Sequence, residues 1–263
     1  MDPTKSNLMM NNSADLISLG ILTCYLALLI LAVWLGLGYL PIIALIVMLR
    51  WISIVQHNQI HSPIFRHRVL NRVINTLLFI VTGQQQGVYT YHHVETHHRF
   101  ICGPQDWTCP NAMRLNGQVS YIVGFNVAVW RRSVEQLVGR GGSSLRQAVF
   151  DFALIFAVSA VVVNFCGVSP YVLALYVGVP WSFIAITLPL ANRRQHRNCQ
   201  PLNKYACANV SLGRFSTTWG FNTGYHNTHH AYPRLHWTQL KKRFEEQFAE
   251  RTPMSNVLSS RSS

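Results

Sequence analysis

The sequence predicts an all-α, polytopic membrane protein: four transmembrane helices in two hairpins, with a cytoplasmic helical cap. Three observations predict it. No charged residue lies between Asp15 and Arg50, and none between Asp151 and Arg193. Each of these stretches is broken midway by glycine and proline, at Gly36–Pro41 and at Gly167–Pro170. Eight of the twelve histidines crowd into three short windows outside those stretches.

Each uncharged stretch far exceeds the roughly 20 residues that cross a bilayer, and a soluble core helix rarely stays uncharged for so long. Nearly half of the chain is apolar and only 12% is charged, about half the charged share of an ordinary soluble domain. Clusters of Gly and Pro mark turns, so each stretch reads as a helical pair. The first pair is about Leu16–Leu37 with Pro41–Gln56; the second is about Phe152–Cys166 with Tyr171–Ala191. Arg50 falls inside the second helix and can snorkel to the nearer face. The expected organisation is a single domain over 1–263. It comprises an N-terminal tail (1–15), a first hairpin (16–56), a cap (57–146), a second hairpin (147–191), a C-terminal cap segment (192–250) and a disordered tail (251–263). Residues 1–14 are too polar for a signal peptide, so the first helix reads as an uncleaved anchor.

The two turns carry no Lys or Arg, whereas the region between the hairpins and the C-terminal part carry many, Arg114 among them. The positive-inside rule then places both termini and the cap in the cytoplasm. The segment Ile74–Tyr91 is uncharged and apolar up to Val81, then polar at Gln84-Gln85-Gln86. It reads as a re-entrant or interfacial helix rather than a fifth span. The net charge of +13 suits anionic lipid headgroups at a membrane rim. It points to no nucleic-acid partner, because no aromatic-interleaved basic groove accompanies it. An acidic carrier protein is a second partner for the basic face.

The three windows are HNQIH (His57, His61), HVETHH (His93, His97, His98) and HNTHH (His226, His229, His230). Neutral imidazole binds iron, copper, zinc or nickel near pH 7. Residues four apart on a helix share a face, so each window can aim two rings at one centre. Isolated histidines such as His67, His92 and His236 read as ordinary surface or core residues, although His92 beside His93 leaves the register of the second window open. Only nine carboxylates are present, too few for a carboxylate-bridged di-iron bundle. Eight histidines exceed one tetrahedral zinc site and fit two metals; composition alone does not choose the metal. The six cysteines include no CxxC pair and read mostly as free thiols, with Cys24 and Cys166 facing lipid and Cys102 and Cys109 wrongly spaced for a zinc finger.

The order HxxxH, HxxxHH, HxxHH, with two apolar hairpins among the boxes, resembles the membrane fatty acid desaturase and hydroxylase superfamily. The segment Gly224–Pro233 (GYHNTHHAYP) is similar to the third box of acyl desaturases, and Asn192–His196 (NRRQH) reproduces the NxxxH that follows their fourth membrane helix. The likeness covers about residues 16–240. It implies a ninth ligand at His196, a metal-bound water held by Asn192, two iron ions, and O2 as co-substrate. The implied reaction takes hydrogen from an unactivated C–H bond of a membrane lipid or acyl chain, with desaturation preferred over hydroxylation or carotenoid ketolation. Electrons would come from a separate donor such as ferredoxin with its reductase, since no haem-protein donor domain is fused. A membrane zinc hydrolase is the alternative outside oxidation, and a lipid-binding or metal-storing protein a third. The middle box departs from the acyl-desaturase pattern, with three residues before its HH pair where two are usual.

Other residues carry two readings each. Glu95 and Asp106 can orient ligand imidazoles or sit as solvated loop carboxylates. Arg66 and Arg68 read as a membrane flank before a headgroup site. Trp107, Trp181 and Trp219 read as interfacial anchors or tunnel lining, and Tyr89, Tyr91 and Tyr225 as hydrogen-bonding neighbours of the boxes. Gln136–Arg146 reads as a flexible turn rather than a phosphate loop.

Overall fold

The computed structural model describes residues 10–113 and 117–258. Of the disordered tail expected over 251–263, residues 259–263 lie outside the described residues, as does Arg114; residues 251–258 are instead ordered, with Thr252 and Asn256 buried and Val257–Leu258 paired to Val210–Ser211. Among the described residues the chain is helical almost throughout, and four helices are long and apolar enough to cross a membrane. These are α1 (Asp15–Trp34), α2 (Leu40–His61), α7 (Gly142–Asn164) and the continuous helix Pro170–His196. The last is built from α8 (Pro170–Leu173), a π-helical stretch (Ala174–Gly178) and α9 (Val179–His196). Large side chains on their outer faces, including Ile30, Trp34, Ile43, Phe156 and Phe165, are exposed, as lipid-facing residues are. Cys24 and Cys166 are exposed thiols on the same surfaces.

The chain divides into two compact units. The first holds residues up to Gln59, Pro63–Gly87 and Glu135–Ala185. Within it the two uncharged turns meet: the Tyr39 and Tyr171 hydroxyls lie 3.1 Å apart, and the Tyr176 hydroxyl donates to the Gly38 carbonyl. Helix α3 (Arg68–Thr82) buries Ile74, Leu78, Phe79, Val81 and Thr82. At about 1.5 Å per residue its 15 residues reach ~22 Å, short of the ~30 Å hydrocarbon thickness. The segment expected as one helix over Ile74–Tyr91 is in fact two. Gly83, left-handed at φ 72°, ends α3, and a side chain there would strike the Trp181 ring. Trp181 is held by its Nε1–H, which donates to the Ile80 carbonyl, and by stacking on Phe79; it is a structural anchor of this unit. Gln56, just before the first box, donates to the Gln84 carbonyl, and Gln85 donates to the buried Asp151.

The second unit holds Ile60–Ser62, Val88–Val134 and the chain from Ile186 onward. It contains α4 (Gln86–Tyr89) from Val88, a π-helix (Thr90–His98), α5 (Pro110–Met113), α10 (His226–Ala231) and α11 (Trp237–Gln247). Two short strands, β1 (Val210–Ser211) and β2 (Val257–Leu258), pair in parallel. Helix α6 (Gln118–Arg140) runs from this unit into α7. The flexible turn expected at Gln136–Arg146 is therefore absent: both flanks are helical and only Gly141, at φ 58°, separates them. The second hairpin accordingly begins at Gly142 rather than 147.

Candidate metal centre

Four local structures present the histidines. The first box ends α2, the second fills the π-helix Thr90–His98, His196 ends α9, and the third forms the six-residue α10. The π-helix resolves the extra residue of the second box. In an α-helix, at ~100° per residue, a ring five positions on points about 140° away. With i→i+5 hydrogen bonding the step is about 80°, so His97 and His98 fall on either side of the direction of His93. Three histidines then face one way despite three intervening residues. The third box, HxxHH, reaches the same result on an ordinary α-helix.

Box three is anchored by packing. Tyr225 lies in a core with Val210, Leu240, Phe244 and Phe248. The Asn227 amide donates to the Tyr205 carbonyl and the Thr252 hydroxyl, and its oxygen accepts from the Thr228 N–H. The chain enters α10 through Gly224, where any Cβ would collide with the Ser211 carbonyl.

The rings fall into two groups. His97, His196, His226 and His230 are all buried, with ligand atoms within 4.8 Å of one another. Their Nε2 atoms face each other: His97–His196 2.9 Å, His196–His226 3.0 Å, His196–His230 3.2 Å and His226–His230 3.3 Å. The other group is His57, His61, His93 and His229. His57 stands one turn before His61 on the continuous helix α2, which sets its place. His98 joins this group, with its Nε2 3.1 Å from that of His229 and its ring 4.4 Å from His61 and 4.7 Å from His93. It also stacks on His230 at 4.3 Å and so links the two groups.

Protonation agrees with ligation. Burial first, then the neighbouring His230, His229, His93 and His61, push His98 well below the usual imidazole range. Burial, then His226, His196, His97 and His229, does the same for His230. Both rings are neutral at pH 7. The His97 Nδ1 lies 2.8 Å from Asp106 Oδ2, and the His196 Nδ1 3.2 Å from the Cys207 carbonyl. Those partners accept, so each Nδ1 carries the proton and each Nε2 turns its lone pair inward. Converging lone pairs at this separation repel one another unless a cation lies between them. A tetrahedral centre with metal–nitrogen bonds of ~2.0–2.1 Å has N–N edges of about 3.4 Å, close to the separations seen. The donor set therefore fits a metal ion.

Asp106 is the buried carboxylate behind His97. Burial alone would raise its pKa, but electrostatic attraction to the His97 ring, hydrogen bonds from His97 and Thr108, and the Cys102 amide outweigh that and hold it below the usual carboxylate range. Thr108 donates through both its N–H and its hydroxyl. The Asp106 Oδ2 lies against the His97 ring. Glu95 is half-buried on the π-helix itself. The Asn192 amide donates to the Thr108 carbonyl and the Tyr121 hydroxyl, both at 2.8 Å, so its Nδ2 braces the loop that carries Asp106.

His92 belongs to neither group; it stacks on Tyr89 and meets Phe125 edge-on. Burial, then His97, pushes it down to about 3. His67 precedes α3 and His236 caps α11. Arg66 and Arg68 are exposed, as is Trp219, while Arg132 sits over the Trp107 ring. One expectation is corrected: Cys102 and Cys109 are not free thiols but a disulfide closing the Asp106 loop. The bracing roles of Tyr121, Thr108 and the Cys207 carbonyl had no sequence signal, because each acts through geometry rather than through a motif.

Four helices apolar enough to cross a membrane, among the described residues, and two histidine groups that could hold a metal ion define a membrane protein with a candidate metal centre. The chain belongs to the fatty acid desaturase family, whose sequence model matches residues 18–258. No curated protein matches it. Membership makes it an integral membrane protein of oxidoreductase type.

Proposed function

We propose that this protein is an O2-dependent di-iron desaturase that introduces a double bond into a fatty acyl chain. The observation that carries the proposal is the pair of all-histidine groups; in one of them the Nε2 atoms converge, and outward partners fix the tautomers of His97 and His196. The proposed ligands are His57, His61, His93, His97, His98, His196, His226, His229 and His230. A pair of irons bound there supplies O2 activation strong enough to break an unactivated C–H bond. The chain's own residues set the stage. Asp106 holds the His97 proton on Nδ1, and Thr108, Tyr121 and Asn192 hold the Asp106 loop. Burial of the rings excludes water, which protects the site from side reactions. Among the described residues neither histidine group includes a carboxylate, which disfavours a zinc hydrolase with a general base beside its metal. The basic face is read as cytoplasmic and as the docking surface of an acidic electron donor such as ferredoxin.

Expression in a host that makes both fatty acids and carotenoids, with mass spectrometry of total lipids, tests the reading. Loss of two hydrogens from an acyl chain supports it. Gain of an oxygen, on an acyl chain or a carotenoid ring, replaces it with hydroxylation or ketolation. Elemental analysis showing zinc alone in active protein removes the iron assignment.

A further inference from the structure

Helix α6 carries two apolar faces, and only one is covered by protein. Tyr121, Phe125, Val129 and Leu137 are buried, with Ser133 among them. On the other side Val119, Val123, Val127, Val134 and Val138 are 75%, 57%, 60%, 47% and 61% exposed, with Trp130 at 38%. At ~100° per residue these six fall within an arc of about 100°. The stripe runs ~28 Å along the helix at about 1.5 Å per residue. Yet α6 is not among the four candidate spans, and Arg131, Arg132, Glu135 and Arg140 interrupt it. A solvated helix face is polar; a continuous exposed apolar stripe marks contact with another phase or partner.

We propose that the valine face of α6 lies in the bilayer interface, as a membrane-bound helix that does not span. Three features select lipid. At ~100° per residue, Arg131 is exposed about 20° beyond the edge of the stripe, placed for anionic headgroups. Trp130 lies within the stripe, where an amphipathic ring suits the interface. The chain itself ties α6 to the membrane, because α6 ends at Arg140 and the span α7 begins at Gly142. An exposed apolar face with a basic residue at its edge is the pattern of an interfacial helix. The covered face reaches the metal centre: the Tyr121 hydroxyl donates to the Thr108 carbonyl at 3.2 Å, and Phe125 meets the His92 ring. One helix thus links the membrane surface to the loop that holds Asp106.

The inference needs the membrane placement of α7 and is independent of the reaction catalysed. It is tested on the full chain in phosphatidylcholine–phosphatidylglycerol vesicles, with Cys24→Ser and Cys166→Ser clearing the exposed thiols. Spin labels are placed singly by Val123→Cys, Val127→Cys, Val134→Cys and, as a control, Glu135→Cys. At the three valine positions, collision with dissolved oxygen should exceed collision with a water-soluble nickel chelate several-fold, and the control should show the reverse. Chelate collisions dominating at the valines would make the face solvated and overturn the proposal. Low collision with both reagents would mean a protein partner, such as a second copy, and would overturn it equally.

Discussion

The second and third histidine boxes solve one problem by different means. Box three spaces its rings HxxHH and sits on the α-helix α10; box two spaces them HxxxHH and sits on a π-helix. The same three-ring fan comes from two pairings of spacing and pitch. An added residue widens the angle on an α-helix, and a wider turn closes it again. Their supports differ too. Box three is held by a hydrophobic cluster and the buried Asn227, box two by a carboxylate on a disulfide-closed loop. A spacing motif is therefore only half of a ligand specification; the helix pitch is the other half.

The comparison breaks first if the boxes are unequal in chemistry. His97→Ala and His229→Ala should each remove measurable turnover, whereas His67→Ala and His236→Ala should leave it intact, read by product analysis. Equal losses at all four would separate the boxes from the site. A sharper test is of register. An alanine inserted between Asn227 and Thr228 should cost box three its fan and lower metal per chain. Deleting Val94 makes box two HxxHH, which an α-helix can present, so more metal should remain than in the insertion variant. Elemental analysis of both variants decides, and the reverse order of losses would sink the pitch argument.

Next in size is the support behind box two. Asp106→Asn keeps the shape and removes the charge that holds the His97 proton, so metal affinity should fall by about 10- to 100-fold, measured by competition with a chelator. No change would leave Asp106 as loop structure alone. The smallest effect concerns the basic face. If an acidic donor docks there, turnover should decline as salt rises toward 0.15 M, where screening acts over ~8 Å. Salt-independent turnover with the native donor would remove that docking surface.

Much of the architecture was legible before any coordinates. The uncharged runs and their Gly/Pro breaks announced four helices in two pairs, because hydropathy and turn chemistry are local properties of the chain. Box order and the NxxxH pair pointed to histidines that the structure gathers into two groups, because residue type is also written position by position. What only the tertiary structure decided depends on groups distant in sequence. His93 rather than His92 faces the centre because a π-helix sets the phase and Tyr89 and Phe125 enclose the other ring. Asp106 meets His97 because its loop folds back onto that ring. The division of nine rings into two groups, with His98 between them, arises where α2, the π-helix, α9 and α10 converge. Helix pitch and convergence are set by packing, and packing leaves no local signature in composition or spacing.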